Sequence, residues 1–211
     1  MTTRIALVTL LAALVLPSAV AQADNPKLVA VVGTNDAFVI SLRDANGNAV
    51  TQLAPGTYDI AVSDRSQSHN FHLKGPGVDL STPIGERQDT TWTVTIGTGI
   101  YTYVCDAHAS QMRDYFLAGA ITPTSLAGSV GPKKTISLKP KTALPGPALI
   151  TVNDRSKTDN FHLTGPGVNK QTGIKTRGKA SWTVTLQPGL YTYKSDKTKK
   201  LRGSFVVNFP S

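Results

Sequence analysis

The sequence predicts an all-β protein made of two tandem β-sandwiches. Three observations carry that prediction. Apolar and polar residues alternate in short runs, as at Tyr58, Ile60, Val62 and at Trp92, Val94, Ile96, which is the period of a half-buried strand. Turn chemistry separates the runs: Asn46-Gly47 and Pro55-Gly56 are two instances, and 18 Gly and 13 Pro in 211 residues supply many more. The segment from Gly146 onward repeats the segment from Gly56 onward at a constant offset of 90 residues.

The amino-terminal stretch reads as a signal peptide over residues 1–23. Arg4 is followed by an apolar run from Ile5 to Leu16 and then by small residues, with cleavage fitting after Ala21 or Ala23. The run is short for a bilayer span, which needs about 20 apolar residues. No later segment is long enough either, so no transmembrane segment is expected in the mature chain. The expected product is exported, periplasmic or extracellular.

Residues 24–118 read as the first domain. Leu28 to Val32 and Ala37 to Leu42 are apolar runs, and Asp44 to Asn48 is a hairpin-type turn. Tyr58 to Val62, Phe71 to Leu73, Trp92 to Ile96 and Tyr101 to Cys105 follow as alternating strands. Residues 119–133, rich in Thr, Ser, Gly and Pro, read as a linker. Residues 134–211 are the second domain. There Asn160-Phe161-His162-Leu163 repeats Asn70-Phe71-His72-Leu73, Trp182 repeats Trp92, and Tyr191-Thr192-Tyr193 repeats Tyr101-Thr102-Tyr103.

The chemistry gathers in Cys105-Asp106-Ala107-His108-Ala109-Ser110-Gln111-Met112. This stretch holds the only cysteine and the only methionine besides Met1. A lone cysteine in an exported chain has no internal disulfide partner, and a metal bond is the simplest use for it. Thiolate, imidazole and thioether are ligands that copper favours. Strand alternation puts His69 on the face of Phe71 and Leu73, and Cys105 on the face of Tyr101 and Tyr103, so the two meet at one end of the sandwich. His72 points to the other face. At the repeat offset His69 becomes Asp159, Cys105 becomes Ser195 and His108 becomes Thr198, while Met112 falls opposite Leu201 once one residue is dropped. All four are absent from a copy that keeps the strand framework. They are therefore dispensable for folding and are expected to serve together as metal ligands: His69, Cys105 and His108 near-trigonal, Met112 weak and axial.

The His69-Asn70 pair, the Tyr101-x-Tyr103-x-Cys105 strand and the Cys105-x-x-His108-x-x-x-Met112 loop resemble the cupredoxin family, the plastocyanin- and amicyanin-like blue copper proteins. The resemblance covers most of the first domain and extends without ligands over the second. Where the family often carries a glycine just after the loop methionine, Arg113-Asp114 stands here. The resemblance implies Greek-key sandwiches, one type 1 copper ion held by His69, Cys105, His108 and Met112, and one-electron transfer between redox partners. Copper storage or delivery in the cell envelope is the alternative, although no Met- or His-rich tract favours it. An enzyme is not expected. Copper oxidases and nitrite reductases need further copper ligands and a histidine beside the blue-site cysteine. Cys105 stands between Val104 and Asp106, and the four histidines form no His-x-His pair.

Charge is divided unevenly. Through residue 131 there are 7 Lys and Arg against 10 Asp and Glu, and from residue 132 there are 15 against 3. Lys194, Lys197, Lys199, Lys200 and Arg202 cluster where the first copy has its ligand loop. This predicts a second domain that docks an acidic redox protein, an anionic wall polymer or a lipid surface. Nucleic acid is not an expected partner of an exported chain without a binding module.

Overall fold

The computed structural model describes residues 24–210; the expected signal peptide, residues 1–23, lies outside the described residues. The chain forms strands β1 (Lys27–Val32), β2 (Ile40–Asp44), β3 (Gln52–Leu53), β4 (Gly56–Asp64), β5 (His72–Gly75), β6 (Val78–Ser81), β7 (Gln88–Ile96), β8 (Gly99–Val104) and β9 (Arg113–Ala118). Nine more follow in the same order: β10 (Thr124–Val130), β11 (Ile136–Lys139), β12 (Thr142–Ala143), β13 (Gly146–Asp154), β14 (His162–Gly165), β15 (Val168–Gln171), β16 (Gly178–Leu186), β17 (Gly189–Lys194) and β18 (Arg202–Val207). In the first half the sheets run β2-β1-β4-β7 and β3-β9-β8-β5-β6. In the second they run β11-β10-β13-β16 and β12-β18-β17-β14-β15, so each strand has a counterpart nine places on. The fold is thus all-β, two tandem Greek-key sandwiches, as the sequence predicts.

Each sandwich closes on its own core, from Leu28 to Ala118 in one and from Leu126 to Val207 in the other. The alternation read from the sequence decides which side chains enter it. Tyr58, Ile60 and Val62 on β4 are buried, as are Tyr101 and Tyr103 on β8. Phe71 stacks on Tyr103 with centroids 5.7 Å apart, and Phe161 stacks on Tyr193 at 5.5 Å. Each such buried ring contributes about 1.5–3 kcal/mol. Among the described residues no helix is long and apolar enough to cross a membrane.

Two expectations need correction. Residues 119–133 are not a plain linker, because Thr124–Val130 is β10, paired in parallel with β13. Its Thr, Ser and Gly content resembles a turn, but Leu126 and Val130 point inward and Gly128 lies against Val152 and Phe161. The run from Ala37 to Leu42 is not one strand. β2 begins at Ile40, and Phe38 and Val39 stand exposed in the preceding loop.

Gly75 and Gly165 mark a shared close approach, since a Cβ on either would overlap the ring of Tyr101 or Tyr191. Those rings are pinned. The Tyr101 hydroxyl accepts from Gly97 N–H at 2.9 Å and donates to the Pro76 carbonyl at 3.0 Å, and Tyr191 makes the same bonds to Gln187 and Pro166. Gly75→Ala and Gly165→Ala are each expected to cost about 1–3 kcal/mol of stability through overpacking. Denaturant unfolding measures this, and a loss within error of zero in both would contradict the packing.

Candidate metal centre

The site forms where two loops meet at one end of the first sandwich. One runs from β4 to β5 and carries His69. The other joins β8 to β9 and carries Cys105, His108 and Met112. The second loop is closed at its base by Cys105 N–H donating to the Met112 carbonyl at 2.9 Å. Inside it, His108 N–H donates to the Cys105 carbonyl at 3.1 Å, and Met112 N–H donates to the His108 carbonyl at 2.9 Å. These bonds wind Asp106–His108 into one 3₁₀ turn and bring His108 back over Cys105.

His69, Cys105 and His108 converge as the sequence predicts. Cys105 Sγ lies 3.7 Å from His69 Nδ1 and 3.6 Å from His108 Nδ1, and the two nitrogens are 2.9 Å apart. A point in the plane of these three atoms lies about 2.0 Å from each. That matches the ~2.0–2.3 Å bonds that imidazole nitrogen and thiolate sulfur make to a late first-row metal ion. Cys105 and His69 are buried, and His108 is partly exposed. The donor set of one soft thiolate and two imidazoles suits copper. Met112 is fully buried in the core cluster that also holds Cys105.

Phe38 completes the mouth of the site, and sequence reasoning missed it. Its ring meets those of His69 and His108 edge-on, with centroids 5.3 and 4.8 Å away, while the residue stays 54% exposed. The Asp36 carbonyl lies 3.4 Å from His69 Nε2, and the Asp36 carboxylate accepts from Ser66 Oγ at 2.7 Å. The signal lay in loop length. Gly33 N–H bonds to the Val39 carbonyl in the first half, whereas Gly131 N–H bonds to the Thr135 carbonyl in the second, a turn two residues shorter. The repeat read from Gly56 onward begins too late to reveal that insertion.

Asn70 and His72 have a different task. Asn70 Nδ2 donates to Asp106 Oδ2 at 2.7 Å, and Asp106 N–H returns a bond to Asn70 Oδ1 at 2.8 Å. His72 Nδ1 lies 2.8 Å from Asp106 Oδ2, and its Nε2 lies 2.5 Å from Asp79. The second half repeats this latch with Asn160, His162 and Asp196. A role shared by both copies is structural, and strand alternation already places His72 on the face away from the donors.

Where the first half gathers metal donors, the second closes on itself. Ser195 Oγ donates to Asp159 Oδ1 at 2.8 Å and accepts from Thr198 N–H at 3.0 Å. Burial pushes the Asp159 carboxyl up, but bonds from Thr198, Ser195 and Thr158 and the charge of Lys134 outweigh it and hold the group below the usual carboxyl range. The loop base survives as Ser195 N–H donating to the Leu201 carbonyl at 2.8 Å.

No protein-family profile matches the chain, and no curated protein matches it in sequence. Solved structures do. A multicopper oxidase is similar over 86% of this chain and 88% of its own, at 12% identity and a TM-score of 0.30. Rusticyanin, a copper protein, is similar over 44% of this chain and 76% of its own, at 18% identity and a TM-score of 0.35. The copper nitrite reductase of Nitrosomonas europaea is similar over 86% and 93%, at 12% identity and a TM-score of 0.29.

The latch in the second half makes a prediction about acid. Burial raises the Asp196 carboxyl, but bonds from Asn160 and His162 and the charges of His162 and Lys194 pull it below the ordinary value. A depressed carboxyl contributes stability that is full above its unfolded value and is lost as pH falls through its folded value. Asp196→Asn is therefore expected to flatten the acid limb of unfolding below about pH 4. An unchanged acid limb, measured by urea midpoints against pH, would contradict the assignment.

Proposed function

We propose that this chain is an exported electron carrier that holds one type 1 copper ion between His69, Cys105 and His108, with Met112 as the weak axial ligand. The observation that carries the reading is the convergence of one thiolate and two imidazole Nδ1 atoms on a common point about 2.0 Å from each. Bound copper supplies one-electron cycling. The chain's residues hold the geometry: Asn70 ties the His69 loop to the Cys105 loop, the 3₁₀ turn fixes His108, and Phe38 covers the imidazole edges. A buried sulfur and a partly exposed imidazole fit a site that passes electrons through its rim while keeping water from its centre.

The carrier reading is preferred to an enzyme. No histidine adjoins Cys105 to relay an electron to a second copper, and His72 and His162 are each engaged by a carboxylate. An acidic redox protein is the proposed partner. On the second half Lys194, Lys199 and Arg202 border a cavity of about 750 Å³ that also takes in Leu190, which is 60% exposed. An apolar spot within a basic rim suits the docking of an acidic protein surface.

Adding Cu(II) to the purified mature protein is expected to give an intense blue thiolate-to-copper band. Cys105→Ser should abolish it, and Met112→Leu should keep it while shifting the reduction potential. Weak, colourless uptake by the unaltered protein would overturn the electron-transfer reading and leave copper delivery. Changing Lys197, Lys199 and Lys200 together to Gln is expected to slow association with an acidic redox protein about tenfold or more at low salt, with little effect at high salt. Stopped-flow rates across ionic strength test this, and identical rates at low salt would remove the docking role.

A further inference from the structure

The segment after β18 joins the two halves at the foot of the ligand loop. Asn208 N–H donates to the Ala143 carbonyl at 3.0 Å, so the chain is still fixed to the second half at that point. The next residue, Phe209, lies on the first half. The Arg113 guanidinium stands 4.2 Å from its ring centroid, and the Tyr115 ring meets it edge-on with centroids 6.0 Å apart. Pro210 borders a groove shared with Lys74 and Thr102. Arg113, Tyr115 and Leu117 form one row along β9, facing away from the core that takes Phe116 and Ala118. The row also meets the second half at its far end, where a side chain added at Gly146 would reach Leu117 at 3.7 Å.

Arg113 holds a particular place in that row. It directly follows Met112 and pairs across the sheet with Val104, which directly precedes Cys105. The Val104–Arg113 rung and the Cys105–Met112 hydrogen bond are the last ties before the chain opens into the ligand loop. Fixing Arg113 fixes the base from which Cys105, His108 and Met112 extend. Among the described residues, the counterpart face of the second half has no such aromatic partner. Ser204 stands for Tyr115 and Lys194 for Val104, both exposed, and the loop beyond them carries no ligands.

We infer that Phe209 and Arg113 form a clamp through which the ligand-free half positions the ligand loop. Both are positioning residues, acting through the strand ends that carry the donors. Arg113 is exposed, and a guanidinium over an aromatic face at such a position contributes enough to suppress local opening of the hairpin about two- to fivefold. The inference rests on the copper reading only for its consequence, a loop held in one geometry as the metal changes charge.

Amide hydrogen exchange on the full-length, metal-free protein tests the clamp directly. In Phe209→Ala the amides of Cys105, Gln111 and Met112 are expected to exchange about two- to fivefold faster, with β4 and β7 unchanged. Phe209→Trp, which keeps a ring beneath Arg113, is expected to restore the slow rates. After Cu(II) addition, the visible and paramagnetic spectra of the Ala variant should shift while those of the Trp variant match the unaltered protein. Unchanged loop exchange in Phe209→Ala would overturn the clamp. So would an equal acceleration in β4 and β7, because that marks general loosening of the sandwich. If no variant turns blue, the copper reading fails, and the exchange rates still decide the clamp.

Discussion

One carboxamide holds the two donor-bearing loops in register. Asn70 gives a hydrogen bond to the Asp106 carboxylate and takes one from the Asp106 backbone. Asn70 follows His69, and Asp106 follows Cys105. The two bonds therefore tie the residue after the first imidazole to the residue after the thiolate. His72 braces the carboxylate from the other side. The rest of the site hangs from this pair: the 3₁₀ turn that returns His108, and the hydrogen bond that closes the loop at Met112. Asn70 is buried while Asp106 is exposed, so loss of the partner is costly chiefly to the carboxamide, which would be left with unpaired polar atoms.

The sandwich framework was legible because its signals are local. Alternation at Tyr58, Ile60 and Val62 needs only the period of a strand, and Asn46-Gly47 needs only the φ angles of a turn. The donor cluster was legible for a different reason. The second half is a copy without donors, so His69, Cys105 and His108 separated from residues such as His72 that both copies keep. What escaped was set by tertiary contact or by loop length. β10 hid behind a turn-like composition, because Gly128 serves there as room for Phe161 rather than as a bend. Phe38 hid inside an apolar run whose first half lies in the loop before β2. Phe209 lies past the last repeated strand, where no internal comparison could mark it, and its role depends on Arg113 in the other half.

The two halves show one frame solving two chemical problems. Both keep the Asn–Asp latch, the pinned tyrosine and the buried Asp–Thr bond beneath the His69 or Asp159 loop, made by Asp64 with Thr82 and by Asp154 with Thr172. Within that frame the first half leaves three donor atoms facing one another, while the second fills the same place with Asp159, Ser195 and Thr198 bonded among themselves. Charge follows the same division. Asp36 and His69 in one half correspond to Lys134 and Asp159 in the other, so each position carries the opposite tendency. The frame is indifferent to what occupies its end, because its stability comes from the two cores and the latches.

That indifference separates what builds the protein from what it carries. The scaffold is tied by Asn70 and Asp106, neither of which is one of the three converging donors. Zinc-finger domains gain their folding free energy from the ion and collapse when it is taken away. Here the second half keeps the same strand order with neither a thiolate nor an imidazole at that end. A substitution confined to the donors is therefore a change of chemistry and not of fold.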